Sequence, residues 1–346
     1  MHEPELSRLR MGLVPLADCA PLVVARERGF FARHGLDVSL SVEGSWAGVR
    51  DKLAAGLLDA AQMLAPMPLA AQLGMDGFGV PLISALTLSR NGNMITVSNS
   101  LRDALAGPEA DPTAHGLALN ALLTRERAAG KRPRVLAHVY PHSSHHFLLR
   151  EWLGRSGIDA DRDLHLLSIP PPLLVHCLRA GQIDGFCAGA PWGLAAEAAG
   201  VGRNLFATQK VRPDCVEKVL GVRAEWAERY PRTHLRLVAA LIEAGQWLEG
   251  EGRHEEAAQI LARGAYLDVS PQILLAALSD RSEGNLNPGF CFSGDDLGAP
   301  RSADMAWLEH QLQDWGEVPV SPSAALNRCY RADLHQQALA YCTLER

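Results

Sequence analysis

Over the first two hundred residues, short β-rich apolar runs alternate with stretches whose apolar positions recur at helical spacing, the pattern of a parallel α/β sheet. The run Leu9-Arg10-Met11-Gly12-Leu13-Val14-Pro15 reads as a first buried strand, and residues 21–33 follow as a helix. Residues 35–42 alternate as a strand, 45–57 are helical, 60–64 form a short buried strand and 66–73 a helix. Strands are predicted over 81–88 and 94–97. Between them Ser89-Arg90-Asn91-Gly92-Asn93 is a turn, its Asn-Gly centre supplying positive φ.

A second unit begins near Ser98. Helices over 100–106 and 113–129 lead into a strand over 134–140, a helix over 144–154 and a strand over 164–169. A helix over 172–180, a strand over 183–188 and a helix over 192–199 follow. Residues 205–208 read as returning the chain to the first unit, where a strand over 217–222 precedes helices over 231–249, 255–263 and 271–278. Residues 284–300, rich in Gly, Pro, Asn and Asp, read as an irregular loop. The expected division is residues 1–97 plus 210–346 in one lobe and 98–209 in the other.

The length of 346 residues exceeds one hydrophobic core and fits two packed units. An apolar fraction of 47% and a charged fraction of 21% are those of an ordinary soluble chain. A net charge of −6 argues against a non-specific nucleic-acid or membrane surface, without forbidding a local cationic pocket. No apolar run is long enough to predict a membrane-spanning helix. The start Met1-His2-Glu3-Pro4-Glu5 is acidic and no apolar leader core follows it. The seven cysteines show no C-x-x-C spacing, which fits a reducing compartment. Together these two features make the cytoplasm the expected location.

Several stretches then occur in a fixed order between about residues 9 and 250. They are Gly44-Ser45-Trp46 with Arg50-Asp51; Ala65-Pro66-Met67-Pro68; Asn91-Gly92-Asn93; and Tyr140-Pro141-His142-Ser143-Ser144-His145. Pro170-Pro171-Pro172, Phe186-Cys187-Ala188-Gly189-Ala190-Pro191-Trp192 and Glu217-Lys218 with the downstream Arg223-Ala224-Glu225-Trp226, Ile242-Glu243-Ala244 and Gln246-Trp247 complete the set. In this order they resemble the nitrate/bicarbonate-binding family of solute-binding proteins, nitrate-transport type. The resemblance implies a two-lobed, type II periplasmic-binding-protein-like α/β fold with the ligand cleft between the lobes, closed by a few hinge residues. In that family a tryptophan, an amide, a histidine, a proline-rich turn and a lysine hold the anion. Residue by residue these fall on Trp46, Asn93, His145, Pro171 and Lys218. Two positions depart from the family pattern: Asn93 stands where the transporter branch has glutamine, and Ala190 where it usually has glutamate before Pro-Trp. Both bear on the exact ligand rather than on its class.

The chemistry of those residue types suits a planar inorganic anion. Lys218 supplies a full charge and three donors on a compact head. His145 adds an imidazole N–H that gains charge in an anion's field, Asn93 an amide donor, and Trp46 an indole N–H or a flat wall. Charge-assisted bonds of this kind are about twice as strong as neutral ones, and a micromolar site needs about −8 kcal/mol. Taken singly, Trp46 reads as packing, Lys218 as a solvated lysine and Asn93 as turn chemistry; the order of the motifs is what makes ligand contacts of them. A metal reading of the cluster His142, His145 and His146 fails because the adjacent His145 and His146 diverge in direction and nothing nearby completes a ligand set at a recognised spacing, so no metal or cofactor is expected.

Three classes of function follow. The acidic start joins the resemblance to the cytoplasmic nitrate/nitrite sensors of the NasS type, which pair with an RNA-binding antiterminator of the NasT (ANTAR) type and release it on anion binding. The alternative is the substrate-binding component of a nitrate, nitrite or bicarbonate ABC transporter. An enzyme is disfavoured, because neither a glycine-rich phosphate loop nor a nucleophile–base pair stands out. Nitrate, nitrite and bicarbonate remain undistinguished.

Overall fold

Strand-forming runs separated by amphipathic helices build two α/β units in the computed structural model, which describes residues 3–105, 107, 110–279, 286–296, 298–315 and 323–344. The first unit comprises Met1–Arg90, Val216–Asp268 and Cys291–Arg346; the second comprises Asn91–Cys215 and Val269–Phe290. The chain lays down β1 (Arg8–Leu13), β2 (Asp37–Val42), β3 (Ala60–Leu64), β4 (Leu82–Ile83) and β5 (Thr87–Arg90) in the first unit. It then forms β6 (Asn93–Ser98), β7 (Val135–His138), β8 (His165–Ser168), β9 (Gly185–Gly189) and β10 (Gly202–Ala207) in the second, and returns as β11 (Val216–Arg223).

In the first unit the strand order is β2-β1-β3-β11-β4, with β5 also paired to β11. β1 runs parallel to β2 and β3, whereas β11 is antiparallel to β3, β4 and β5. The central β3 is buried at every position, as a near-continuous apolar run should be when both faces are covered. The helix Pro231–Leu248 packs on Ala20–Glu27 and Ala332–Leu344, burying Leu237, Val238, Leu241 and Leu248. Each such side chain contributes ~1.5–3 kcal/mol from apolar burial.

The second unit has the order β10-β6-β9-β7-β8. β7 is parallel to β8 and β9, while β6 is antiparallel to β9 and β10. Its core gathers Leu119, Leu149, Trp152, Leu153, Cys187 and Phe206, with the Trp152 and Phe206 rings edge to face at 5.3 Å. The thiol of Cys187 is fully buried, in keeping with its place in an apolar strand.

Both sheets are therefore mixed, where alternation of apolar runs alone suggested parallel ones. That pattern reports which residues are buried but not strand direction. Two boundaries also differ from expectation. Residues 94–97 pair within the second sheet, so the division falls at Arg90 rather than 97, and β10 hydrogen-bonds to β6 instead of leading back to the first unit. Helix Pro271–Leu278 groups with the second unit, packing on Trp192–Ala198. The predicted strand over 81–88 is broken into β4 and β5, and the predicted helix over 21–33 is interrupted at Gly29, whose φ is 74°. The segment over 172–180 opens with a 3-10 turn, Pro171–Leu173. Within 284–300, residues 284, 285 and 297 lie outside the described residues; Cys291 bridges Arg90 antiparallel. The helices Ser302–Trp315, Ser323–Cys329 and Ala332–Leu344 carried no sequence assignment.

Candidate functional site

In open α/β sheets, ligands bind at the carboxyl ends of parallel strands, where chain turns and helix starts expose polar groups. In the first unit β1, β2 and β3 end together, and the antiparallel β11 starts beside them, Lys218 opposite Leu64. Asp18 sits in the 3-10 turn Ala17–Cys19 after β1. Trp46 opens the helix Trp46–Ala54 after β2, with Ser45 as its cap, the Ser45 hydroxyl accepting from Gly48 N–H at 3.1 Å. Gln62 lies on β3, its Oε1 accepting from Val14 N–H at 3.1 Å and its Nε2 donating to Asp18 Oδ1 at 2.6 Å.

These elements enclose Lys218. Its Nζ lies 2.7 Å from Asp18 Oδ2 and 2.7 Å from Glu217 Oε1, and 5.5 Å from the centroid of the Trp46 ring. All three charged side chains are wholly buried. Consecutive residues on a regular strand point to opposite faces. The β5–β11 register shifts on both sides of Lys218, and this bulged ladder lets the Glu217 and Lys218 side chains meet. Burial by itself lowers the amine's pKa, but the charges of Asp18 and Glu217 outweigh it and hold Lys218 above the ordinary lysine value. Burial pushes the Asp18 carboxyl above the usual range, opposed by Lys218. Burial, then the charge of Asp18, pushes the Cys19 thiol up, so it stays neutral.

Two buried donors at this edge are unspent among the described residues. The Trp46 indole Nε1–H has no acceptor, and neither does the hydroxyl of Ser89, which stands opposite Lys218 on β5. Of the three Lys218 donors, Glu217 Oε1 takes one in hydrogen-bond geometry, and the 2.7 Å contact with Asp18 Oδ2 is an ion pair that leaves that oxygen without a hydrogen bond among the described residues. Buried donors without partners are rare, and each has a cost of about 1–3 kcal/mol until an acceptor arrives.

In the second unit the strands β7, β8 and β9 likewise end together, and the antiparallel β6 begins at that edge. Asn93 is the first residue of β6, paired with Gly189, and is buried. Asn91 and Gly92 before it hold φ of 56° and 92°, as their turn chemistry demands, and Gly92 C=O accepts from Ala190 N–H at 2.9 Å. His145 lies in the first turn of the helix Ser144–Arg155, fully buried, with Ser143 capping the helix by accepting from His146 N–H. Pro171, also buried, opens the turn after β8. Thus the first unit brings Trp46 and Lys218 into contact, and the second places Asn93, His145 and Pro171 along one sheet edge.

The neighbouring histidines are engaged otherwise. His146 stacks on His138 with centroids 4.2 Å apart, its Nδ1 lies 2.7 Å from Pro141 O, and its Nε2 accepts from Arg150 Nε at 2.7 Å. Burial first, then neighbouring positive charge, pushes His138 down to about 3; burial pushes His146 down to about 4. Among the described residues no group of three side chains is arranged to hold a metal ion. Arg50 and Asp51 form an ion pair at 2.7 Å.

Sequence reasoning missed Asp18, Gln62 and Ser89, and quoted Glu217 only as a neighbour of Lys218. Asp18 left one signal, a lone acid inside the apolar stretch 11–25. The expectation that Lys218 brings an unmatched positive charge changes as well: two carboxylates of its own unit already surround it.

Two α/β units with polar clusters at the carboxyl ends of their strands define a protein of the solute-binding class. The NMT1-like family profile matches residues 2–262, and the chain belongs to that family of nitrate/bicarbonate solute-binding proteins. It is 40% identical, over 92% of its length, to the bicarbonate transport ATP-binding protein CmpC of Synechococcus elongatus, and covers 47% of that protein. It is 37% identical, over 96% of its length, to the nitrate import ATP-binding protein NrtC of Synechocystis, covering 50% of it. The chain thus spans about half the length of these curated relatives. The crystal structure of the periplasmic nitrate-binding protein NrtA from Synechocystis superposes with a TM-score of 0.89 at 27% identity, covering 98% of this chain and 90% of that one.

Proposed function

We propose that this chain is a cytoplasmic sensor of nitrate or nitrite that holds an RNA-binding antiterminator of the NasT type while empty and releases it when the anion binds, so controlling nitrate assimilation genes. One observation carries the anion reading: the buried indole N–H of Trp46, with no acceptor among the described residues, lies beside an ammonium that has a donor to spare. An oxyanion satisfies both at once, and its flat face suits an aromatic wall. The family resemblance also assigns Asn93, His145 and Pro171 as contacts; within the second unit these three lie along one sheet edge.

The sensor reading draws support from the pattern of relatives. Identity is 40% and 37% to halves of proteins named for ATP binding, against 30% to the nitrate/nitrite binding protein NrtA of Synechocystis. ATP-binding components work where ATP is, on the cytoplasmic side. The close superposition on that periplasmic protein favours the second reading, the substrate-binding component of an ABC transporter for nitrate, nitrite or bicarbonate.

Calorimetric titration with nitrate, nitrite, hydrogencarbonate and chloride, followed by size-exclusion chromatography with a NasT-type antiterminator with and without nitrate, tests both halves. Micromolar binding of a nitrogen oxyanion and a complex that dissociates on adding it are expected. Release from mostly bound to mostly free requires a differential of about 5.5 kcal/mol between the two states. An anion-insensitive complex, or none, removes the sensor role; failure of all four anions to bind removes the ligand class.

A further inference from the structure

Two polar side chains in the second unit are buried with hydrogen-bonding capacity left over. His115, near the start of the helix Pro112–Ala128, is 1% exposed, and among the described residues neither of its ring nitrogens has a partner. Asn204, on β10, is 6% exposed; its Oδ1 accepts from the Thr96 hydroxyl at 2.7 Å, and its Nδ2 has no acceptor among the described residues. Both residues line one cavity of about 540 Å³, a volume within the range of small-molecule sites. The remaining surroundings are apolar: the His115 ring stacks against Phe206 with centroids 6.2 Å apart, and Leu205, Phe206 and Ala207 after Asn204 are all buried. Unpaired buried polar atoms are rare because each opposes folding, so two such residues on one cavity wall mark a partner from outside the chain.

Burial, then the charge of Arg102, holds His115 below the ordinary histidine value, so its ring is neutral near pH 7 and presents one N–H donor and one bare acceptor nitrogen. Asn204 adds an amide donor. The partner therefore needs an acceptor and a donor close together. A primary carboxamide carries both on one carbon; a carboxylate has acceptors alone. Nearer solvent the cavity is lined by charges of both signs: exposed Asp103 and Arg203, and half-buried Glu197, which accepts from the Asn204 backbone N–H at 2.8 Å. Such a rim suits an ammonium and a carboxylate on one small molecule. We propose that this cavity is a second ligand site, which takes a small amino acid with a side-chain carboxamide, such as glutamine or asparagine. The ligand's amide oxygen accepts from Asn204 Nδ2, and its amide N–H donates to the bare ring nitrogen of His115. Arg203 meets the α-carboxylate, and Glu197 and Asp103 the α-ammonium. Two local features hold the pair in place. Asp111 caps the helix, its side chain accepting from Ala114 N–H at 2.8 Å, and so fixes the turn that carries His115. A Cβ at Gly193 would lie 2.3 Å from Asn204 Oδ1, so glycine there leaves room for the amide. The site lies wholly within the second unit and shares no residue with the anion contacts assigned above.

Calorimetry of the whole chain with glutamine, asparagine, glutamate and methionine tests this, methionine resembling glutamine in length without the amide. Glutamine or asparagine is expected to bind about tenfold more tightly than either glutamate or methionine. His115→Phe keeps a ring against Phe206 and deletes both unpaired nitrogens. Its urea midpoint is expected at or above that of the unaltered chain, while carboxamide affinity falls about tenfold. Asn204→Leu, which strands the Thr96 hydroxyl, is expected to lose the same affinity and serves if the first variant does not fold. A cavity that holds water alone gives no binding heat with either carboxamide at millimolar concentration, and that result overturns the proposal. Equal affinity for glutamate or methionine overturns it too, as does full carboxamide affinity in both variants.

Discussion

Replacing Lys218 by methionine removes the ammonium while keeping most of the apolar stem, and leaves Asp18 and Glu217 facing each other in a dry interior. At 2.7 Å from each carboxylate oxygen, the gross attraction is ~6 kcal/mol per pair at an effective dielectric of about 20. Much of that offsets the desolvation of three charged groups, so the net loss on removing one partner of a buried cluster is ~3–5 kcal/mol. Against a total stability of ~5–15 kcal/mol this is a large fraction. The measurement is urea unfolding, followed by tryptophan fluorescence and far-ultraviolet circular dichroism, at pH 5 and pH 8. The sign with pH follows from linkage. Without the amine, the folded-state carboxyls titrate well above their unfolded values, so the folded protein binds more protons and stability falls as pH rises. The deficit is therefore expected to be larger at pH 8 than at pH 5. Changing Asp18→Asn and Glu217→Gln together with Lys218→Met removes the stranded charges and is expected to restore most of the loss. A deficit below ~1 kcal/mol at pH 8, or one equal at both pH values, refutes the picture of a buried cluster whose charges hold each other in place.

Three further outcomes are expected. Trp46→Phe keeps the ring against Lys218 but deletes the unspent N–H, so stability should change by less than ~1 kcal/mol while nitrate affinity drops about tenfold; calorimetry that finds affinity unchanged excludes the indole as a ligand contact. Burial pushes His234, in the first unit, down to about 4, and His138 and His146, stacked in the second, to about 3 and about 4. All three stay neutral when folded, so their contribution is full above about 6.5 and is lost as pH falls through about 4, worth ~3 kcal/mol for His234 alone; urea midpoints that match at pH 7 and pH 4.5 contradict this. Gly92→Ala demands a side chain at φ 92° and puts a Cβ 2.0 Å from Phe290 Cε1, so thermal unfolding should show a loss of ~1–3 kcal/mol; an unchanged midpoint means the turn relaxes freely.

Sequence alone carried most of the elements up to residue 278 and the class of the protein, but none of the helices after residue 300. Buried apolar runs such as Ala60–Leu64 and the turn formers Asn91-Gly92 act locally, through periodicity and allowed φ, so their structures follow from a few neighbouring residues. The ordered motifs around Trp46, Asn93, His145 and Lys218 pointed to an anion-binding family only through their resemblance to it, and each lies at or beside a strand end. Strand direction and partnership were decided only in three dimensions: β6 and β10 pair antiparallel in one sheet although over a hundred residues separate them, and nothing in either run encodes its partner. The charge state of the lysine was decided there too. Asp18, held by Gln62, and Glu217 reach Lys218 because β1 and β3 end and β11 begins at one edge, and a bulge turns two consecutive side chains together. Electrostatics depends on distance through space, and 200 residues of chain separate Asp18 from Lys218 while 2.7 Å separates their charged atoms.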